Sequence, residues 1–368
     1  MCAVVNSRKT DTASEGNLVK NAALTTAKRE KNDEFYTQYA DIEKEMNAYL
    51  DYDSDVFRGK TILLPCDDPE WSNFTKYFAQ NFERLGLKKL ISTSYAPQSK
   101  PDLFTHEPSA MERSSEHFDT TKTHTRGKYF VITDDHNRDG RIDFNDLTWD
   151  YLEGDGDFRS DEVTRLRDEA DVVVTNPPFS LFRAYIEWVM EANKGLLAIA
   201  SRNCITYKEI FPLIQKNRLW LGHNNNDMSF MVPSYYEPRE TRFWIDDSGQ
   251  KWRSMGSCIW LTNLQHGRRH QPLPLMTMAE NLKFHKRLIK QLDGETSYQR
   301  YDNYDAIEVP FVDAIPSDYD GPMGVPITFL DKYCPEQFEI VKFRKGDDDQ
   351  DLSVNGKFPY FRIIIRKI

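Results

Sequence analysis

The segment Asp171-Val-Val-Val-Thr-Asn-Pro-Pro-Phe179 constrains this chain more than any other. Val172, Val173 and Val174 form an uninterrupted β-branched run, the pattern of a parallel strand buried on both faces. Pro177 and Pro178 then exclude both helix and sheet, so the backbone stiffens at the strand's carboxyl end. In open α/β sheets that end is where ligands bind. Asn176, Pro177 and Phe179 supply one side-chain amide, one rigid carbonyl and one aromatic ring. These are the parts needed to hold a planar, amino-bearing base. The Asn176 amide oxygen and the Pro177 carbonyl accept the two hydrogens of an exocyclic amine, and the Phe179 ring stacks. The plainer reading is a strand followed by a proline turn; the buried strand before the motif favours the functional one.

This tetrapeptide resembles the motif of the amino-group methyltransferases that use S-adenosylmethionine: Asn, Asp or Ser, then two prolines, then an aromatic residue. The rest of the chain is consistent with an α/β host. Thr61-Ile-Leu-Leu64 reads as a buried strand. Trp71, Phe74, Phe78, Phe82 and Leu85 recur at helical spacing, and Gly86 closes that helix. Lys89 to Thr93 follows as a strand, which completes a strand–helix–strand unit of a doubly wound sheet. Further strands are expected at Lys128–Thr133, Gly195–Ala200, Leu219–Gly222 and Met255–Leu264, with Ile142 and Phe144 on a returning hairpin strand. Helices are expected near Ile42–Leu50, at Ser160–Ala170, after Leu181, over Tyr207–Asn217 with Pro212 inside, and over Met278–Leu292. Residues 1–30 read as a flexible tail, 31–265 as the catalytic domain with an insertion at about 96–150, and 266–368 as a smaller C-terminal lobe. There is no internal repeat.

Several other places could carry chemistry. Pro65, Cys66, Asp67 and Asp68 follow the first strand, where a nucleotide-type cofactor would sit. A dinucleotide-binding loop would carry glycines there, and this one has none. Asp67 or Asp68 can accept from a cofactor ammonium or ribose; equally, an aspartate here can cap the following helix. Phe35, Tyr36 and Thr37 form an aromatic–threonine cluster before the first strand. Asp157 and Phe158 lie in a tight acidic loop, and are read either as neighbours of a cofactor adenine or as part of a turn capped by Ser160. Asp135 to Asp146 follows a calcium-loop pattern, but Asp replaces the final Glu and the flanks look like strand, so a hairpin turn is the better reading and no metal is assigned.

Composition excludes some classes. At 368 residues the chain has room for about two domains. It carries no apolar run long enough for a membrane span or a signal peptide. Its five cysteines are scattered without a Cys-x-x-Cys pair, which argues against zinc knuckles and disulfides and fits a cytoplasmic location. A net charge of −10 counts against a passive nucleic-acid coat, although local basic clusters such as Arg268-Arg269-His270 remain. No serine-nucleophile elbow and no zinc-binding histidine pair is present.

Taken together, the segments resemble the EcoRI-type adenine-specific DNA methyltransferases, from about Lys28 to the C-terminus. The likeness is carried by Asp33-Glu-Phe-Tyr-Thr-Gln38, Cys66-Asp-Asp-Pro69 with Ser72-Asn-Phe74, and Leu85-Gly-Leu-Lys-Lys-Leu90. It continues through Gly154-Asp-Gly-Asp-Phe-Arg-Ser160, Val174 to Arg183, Ile205 to Glu209, Trp260 to Leu264, Tyr301 to Ile307 and Met323 to Leu330. Residues 96–150 and the N-terminal tail depart from the family pattern. The resemblance implies a Rossmann-like fold, S-adenosylmethionine as donor, and methylation of N6 of a flipped adenine in double-stranded DNA, as a restriction-modification enzyme or a solitary one, and it suggests GAATTC as the target. It implies that Asn176, Pro177, Pro178 and Phe179 hold the base, and that Phe35 to Thr37, Pro65 to Asp68, Asp157 and Phe158 line the cofactor pocket. Base contacts are assigned to Asn224, Asn225, Arg239 and Arg242 in the segment before Lys251. A monomer is expected, with a cognate restriction endonuclease as a candidate partner. RNA adenine, cytosine N4 or protein glutamine methylation, and a silent DNA-binding module, are the alternatives.

Overall fold

The computed structural model describes residues 36–67, 72–96, 112–113, 115–225, 227–232, 234 and 236–368. The expected tail, Phe35 and Asp68 lie outside the described residues. The central sheet has eight strands. Four are parallel and adjacent: β2 (Lys89–Ser94), β1 (Thr61–Leu64), β5 (Val172–Thr175) and β6 (Gly195–Ser201). Beside β2 run the antiparallel strands β3 (Lys128–Ile132) and β4 (Thr148–Tyr151); beside β6 run β11 (Cys258–Thr262) and β7 (Trp220–Leu221). The chain winds from β1 outward to β2, then returns to β5 and winds the other way to β6. The reversal point lies between β1 and β5, so a crevice is expected at their carboxyl ends.

Alternation along the parallel strands divides the core into two layers. Leu63, Ile91, Val173, Leu196 and Ala198 face one way, against Phe158, Tyr185, Trp188 and the C-terminal residues Phe329 and Phe338. Ile62, Leu64, Leu90, Val172, Val174 and Leu197 face the other way, against Ile42, Met46, Phe74 and Phe78. The second set comes from helices α1 (Tyr39–Tyr52) and α2 (Asn73–Gln80). Full burial on both faces explains why β5 shows no polar alternation.

Four expectations change. The helix expected to run unbroken to Leu85 breaks at Asn81, and a single turn, α3 (Phe82–Leu85), ends on Gly86 at φ 62. The returning strand of the β3 hairpin is Thr148–Tyr151, not the Ile142–Phe144 stretch. There Asp143 and Asp146 form a reciprocal cap around a short 3-10 turn, while Ile142 and Phe144 pack against the second core layer. After α4 (Asp161–Glu169) and α5 (Phe182–Glu191), the stretch 207–217 is helical only in α6 (Phe211–Gln215), with Pro212 in its first turn, where a missing N–H costs nothing. The stretch Met278–Leu292 splits into α7 (Met278–Phe284) and α8 (Lys286–Leu292) at His285, whose ψ of 89 leaves the helical region. His285 Nδ1 then accepts from Leu288 N at 3.0 Å and caps the second helix.

Two smaller sheets complete the molecule. β8 (Met228–Val232), β10 (Lys251–Met255) and β9 (Phe243–Ile245) form an antiparallel trio not anticipated from the sequence. The C-terminal sheet runs β12 (Ile307–Glu308), β13 (Met323–Pro326), β15 (Arg362–Lys367) and β14 (Phe338–Phe343). Its inner face belongs to the same continuous apolar cluster as β5 and β6. Among the described residues, no helix is long and apolar enough to cross a membrane.

Candidate active site

Pro65, Cys66 and Asp67 leave the carboxyl end of β1, and Asn176 to Phe179 leave the carboxyl end of its neighbour β5. The two flagged segments therefore share the reversal crevice. Asp67 joins them. Its side chain is 6% exposed, and its carboxylate accepts from Ser72 Oγ at 2.7 Å and Thr175 Oγ1 at 2.5 Å. Its backbone N donates to Thr93 O at 3.0 Å, and its carbonyl accepts from Thr75 Oγ1 at 3.3 Å and from Ser92 Oγ. Thr93 Oγ1 donates to Pro65 O at 2.9 Å. The capping role considered for an aspartate falls instead to Ser72, which accepts from Phe74 N at 3.1 Å. Cys66 is half-buried.

Thr37 reaches the same place from before α1. Asn176 Nδ2 donates to Thr37 Oγ1 at 3.4 Å, and Asn73 Nδ2 donates to Thr37 O at 2.8 Å. Tyr36 exchanges backbone hydrogen bonds with Met231 at 2.9 and 3.2 Å, which ties this segment to β8. With its nitrogen turned to Thr37, the Asn176 amide has its oxygen as the acceptor that an exocyclic amine needs. Pro177 is buried; Phe179 is half-buried, packs on the second core layer and opens a 3-10 turn.

The acidic loop closes the neighbouring end of β2. Ala96 N donates to Asp155 O at 2.7 Å. Gly156 lies at φ 86, where a Cβ would meet Ser94 O at 2.3 Å, so this contact admits only glycine. Asp157 is clamped by Arg159, from Nε at 2.9 Å and Nη2 at 2.5 Å, and this pairing holds its carboxyl below the usual range. Phe158 is buried against Tyr185 and Trp188 at ring distances of 5.6 and 5.4 Å. Ser160 caps α4 through Val163 N at 3.2 Å.

Sequence reasoning missed Tyr185. It is fully buried, and its hydroxyl has no hydrogen-bond partner among the described residues. Burial first, then the charges of Cys66 and Asp67, push its phenol well above the ordinary value. A helical aromatic in an apolar stripe gives no sequence signal that its hydroxyl ends behind a crevice.

The four residues assigned to base contacts divide. The buried Glu45 accepts from His223 N at 2.8 Å, Asn224 N at 2.8 Å and Asn224 Nδ2 at 2.9 Å. Asn225 uses both ends of its amide inside the fold, donating to Gly222 O at 2.7 Å and accepting from Trp260 N at 3.0 Å. Arg239 and Arg242 are exposed, and Arg242 Nη1 lies 3.2 Å from Asp227. In the β3–β4 connection, Asp135 accepts from Asp139 N and Gly140 N at 3.1 and 2.8 Å, and Asp146 from Asn137 N and Asp143 N at 3.0 and 2.9 Å. It links two antiparallel strands rather than two helices.

The family model described as adenine-specific methyltransferase EcoRI matches residues 23–368. The chain is 46% identical over 349 residues to the type II methyltransferase M.EcoRI of Escherichia coli, covering 94% of this chain and 96% of that one. It is 34% identical to the type II methyltransferase M.MgeORF184P of Mycoplasma genitalium, covering 93% and 97%, and 31% identical to M.MpnI of Mycoplasma pneumoniae over the same shares. No solved structure matches. The chain belongs to the EcoRI-type family of adenine-specific DNA methyltransferases, which take their methyl group from S-adenosylmethionine.

Proposed function

We propose that this enzyme methylates N6 of one adenine in GAATTC within duplex DNA, and that it does so with the base rotated out of the helix into the crevice between β1 and β5. The observation that carries the reading is the convergence of Thr37, Asp67 and Asn176 at that crevice. The residues fit the donor: a pocket floor without glycine-rich turns, closed by the Ser94–Gly156 contact, with the Tyr185 hydroxyl buried behind Cys66 and Asp67. Cys66, Asp157, Tyr36 and Thr37 are the residues we assign to holding it. When bound, S-adenosylmethionine supplies an electrophilic sulfonium methyl.

The protein's task is to make a poor nucleophile ready. The adenine amine is delocalised into its ring. Acceptance of its two hydrogens by Asn176 Oδ1 and the Pro177 carbonyl favours a tetrahedral nitrogen, the geometry of the transition state. Pro178 holds that carbonyl rigid, and Phe179 stacks on the base, contributing about 1–3 kcal/mol toward the cost of flipping. Alignment of nitrogen and methyl then supplies most of the rate. The surplus proton leaves the alkylated nitrogen for water.

We assign residues 266–368 and the β8–β10–β9 sheet to target recognition, with Arg239 and Arg242 as the DNA contacts at the exposed tip of that sheet. Trp244 there is 41% exposed and stacks on Trp252 at 6.0 Å. The enzyme is read as a cytoplasmic monomer, paired with an endonuclease that cuts the same site. Incubation with S-adenosylmethionine and plasmid DNA, followed by base-resolved mapping of N6-methyladenine, tests the target. Modification confined to GAATTC is the expected pattern; another consensus contradicts the assigned site.

A further inference from the structure

The three-stranded sheet has one buried face and one open face. Met228 and Phe230 of β8 point inward and belong to the second core layer. Met231 points the other way. It pairs in register with Trp252 of β10, and Trp252 pairs with Trp244 of β9. Tyr36 extends the row on the opposite side, through an antiparallel bridge to Met231 closed at 2.9 and 3.2 Å. Directly opposed residues place their side chains on the same face of a sheet, so Tyr36, Met231, Trp252 and Trp244 form one strip. At about 4.5–5.5 Å per pair the strip spans roughly 15 Å.

Three features set this strip apart. Among the described residues, none of its four members belongs to an apolar cluster of the core, and Trp244 is 41% exposed. Its rings are fixed in advance: Trp252 Nε1 donates to Asp246 Oδ2 at 2.8 Å, and the Trp244 ring lies within 3° of parallel to that of Trp252. Rings already held lose little freedom on binding. Finally, the strip starts at the crevice, because Tyr36 precedes Thr37, which accepts from Asn176. Arg242 borders the same face: it pairs with Asp227, which also accepts from Ser254 Oγ at 2.7 Å, two residues beyond Trp252.

Aromatic faces match the ring faces of bases, and in an intact duplex those faces are covered by their neighbours in the stack. They open only where the stack is broken. The reaction proposed above breaks it at one step, where the departing adenine leaves its partner thymine unpaired. We propose that the outer end of the strip, Trp244 supported by Trp252, stacks on that orphaned thymine while the adenine occupies the crevice. The inference rests on the base-flipping reading and adds a second base to it. Every target adenine has a thymine partner, so the contact serves whichever sequence is recognised.

A double-mutant cycle tests the proposal. Full-length wild type and Trp244→Ala are titrated with labelled duplex carrying the mapped target site, with thymine or an abasic site opposite the target adenine. S-adenosylhomocysteine is present, so no methyl is transferred. On the thymine duplex Trp244→Ala is expected to weaken binding roughly 5- to 150-fold, the worth of stacking one base. On the abasic duplex the two proteins should bind alike, and Trp244→Phe should follow the wild type on both. The abasic site eases flipping for both proteins, so only their difference reports the ring contact. The salt dependence of affinity should not change, because no phosphate contact is lost. Equal losses on the two duplexes, or no loss on either, overturn the inference. Reduced self-association of Trp244→Ala without a DNA effect also overturns it, and assigns the strip to a second copy of the chain. 2-Aminopurine at the target position separates this failure from that of the base-flipping reading. If it brightens with wild type while the cycle shows no coupling, the thymine contact alone falls; if it does not brighten, both fall.

Discussion

Asp67 Oδ2 accepts the Thr175 hydroxyl at 2.5 Å, a contact between residues 108 positions apart that joins the carboxyl ends of β1 and β5. It fixes the spacing of the two segments that we assign to donor and base. Thr175→Val removes the hydroxyl and leaves a buried carboxylate short of one donor. The expected cost is about 1–3 kcal/mol of stability, read as a lower denaturant midpoint, with weaker S-adenosylmethionine binding in calorimetry. An unchanged midpoint would show that the contact contributes nothing.

Glu45 is wholly buried, and desolvation raises its pKa, opposed by hydrogen bonds from His223, Tyr49 and Asn224. Glu45→Gln keeps the shape but halves the accepting oxygens. The expected loss is about 1–3 kcal/mol, with faster hydrogen exchange at the amides of His223 and Asn224. Exchange as slow as in the wild type at those two amides argues against the tether.

Arg239 and Arg242 stand exposed on the three-stranded sheet. If each meets one backbone phosphate, Arg239→Ala and Arg242→Ala should each lower the slope of log affinity against log salt by about 0.9. Donor affinity should stay the same, because neither residue is among those assigned to hold the donor. Equal slopes in wild type and both variants would move the DNA surface elsewhere.

His266 gives a pH signature. Its folded pKa, near 4, lies below the ordinary histidine value. The unfolded chain therefore binds a proton that the folded chain refuses between about pH 6.5 and 4, and stability present above that window is lost as pH falls through it. One such histidine accounts for at most about 3 kcal/mol across the window. His266→Gln should show a shallower acid decline than the wild type; parallel curves would contradict a buried neutral ring.

The parallel strands were legible because burial on both faces writes an unbroken apolar run. Val172–Val174 and Thr61–Leu64 needed no further context. The reversal crevice was not legible in this way, because the spatial order of the strands comes only from the structure. What stayed hidden depends on distant partners. Phe158 reads as a loop aromatic, yet it is drawn into the core by Tyr185 and Trp188. Asn225 looks like a base reader, but the backbone of Trp260 and Gly222 takes both ends of its amide. The split at His285 escaped because a histidine inside a helical pattern does not show that its ring will cap the next turn. The β8–β10–β9 sheet was missed because Lys251–Met255 merges with the apolar strand after it.

In the proposed reaction Asn176 presents the target amine for methylation. Purified protein is incubated with S-adenosylmethionine and unmethylated duplex DNA containing GAATTC, and the DNA is digested to nucleosides for mass spectrometry, beside an Asn176→Ala control. Loss of an acceptor aimed at the transition state costs about 10²–10³-fold or more in rate. N6-methyladenine is expected from the wild type, and at least that loss in the control, with donor binding retained. Equal methylation by the Asn176→Ala protein would contradict it.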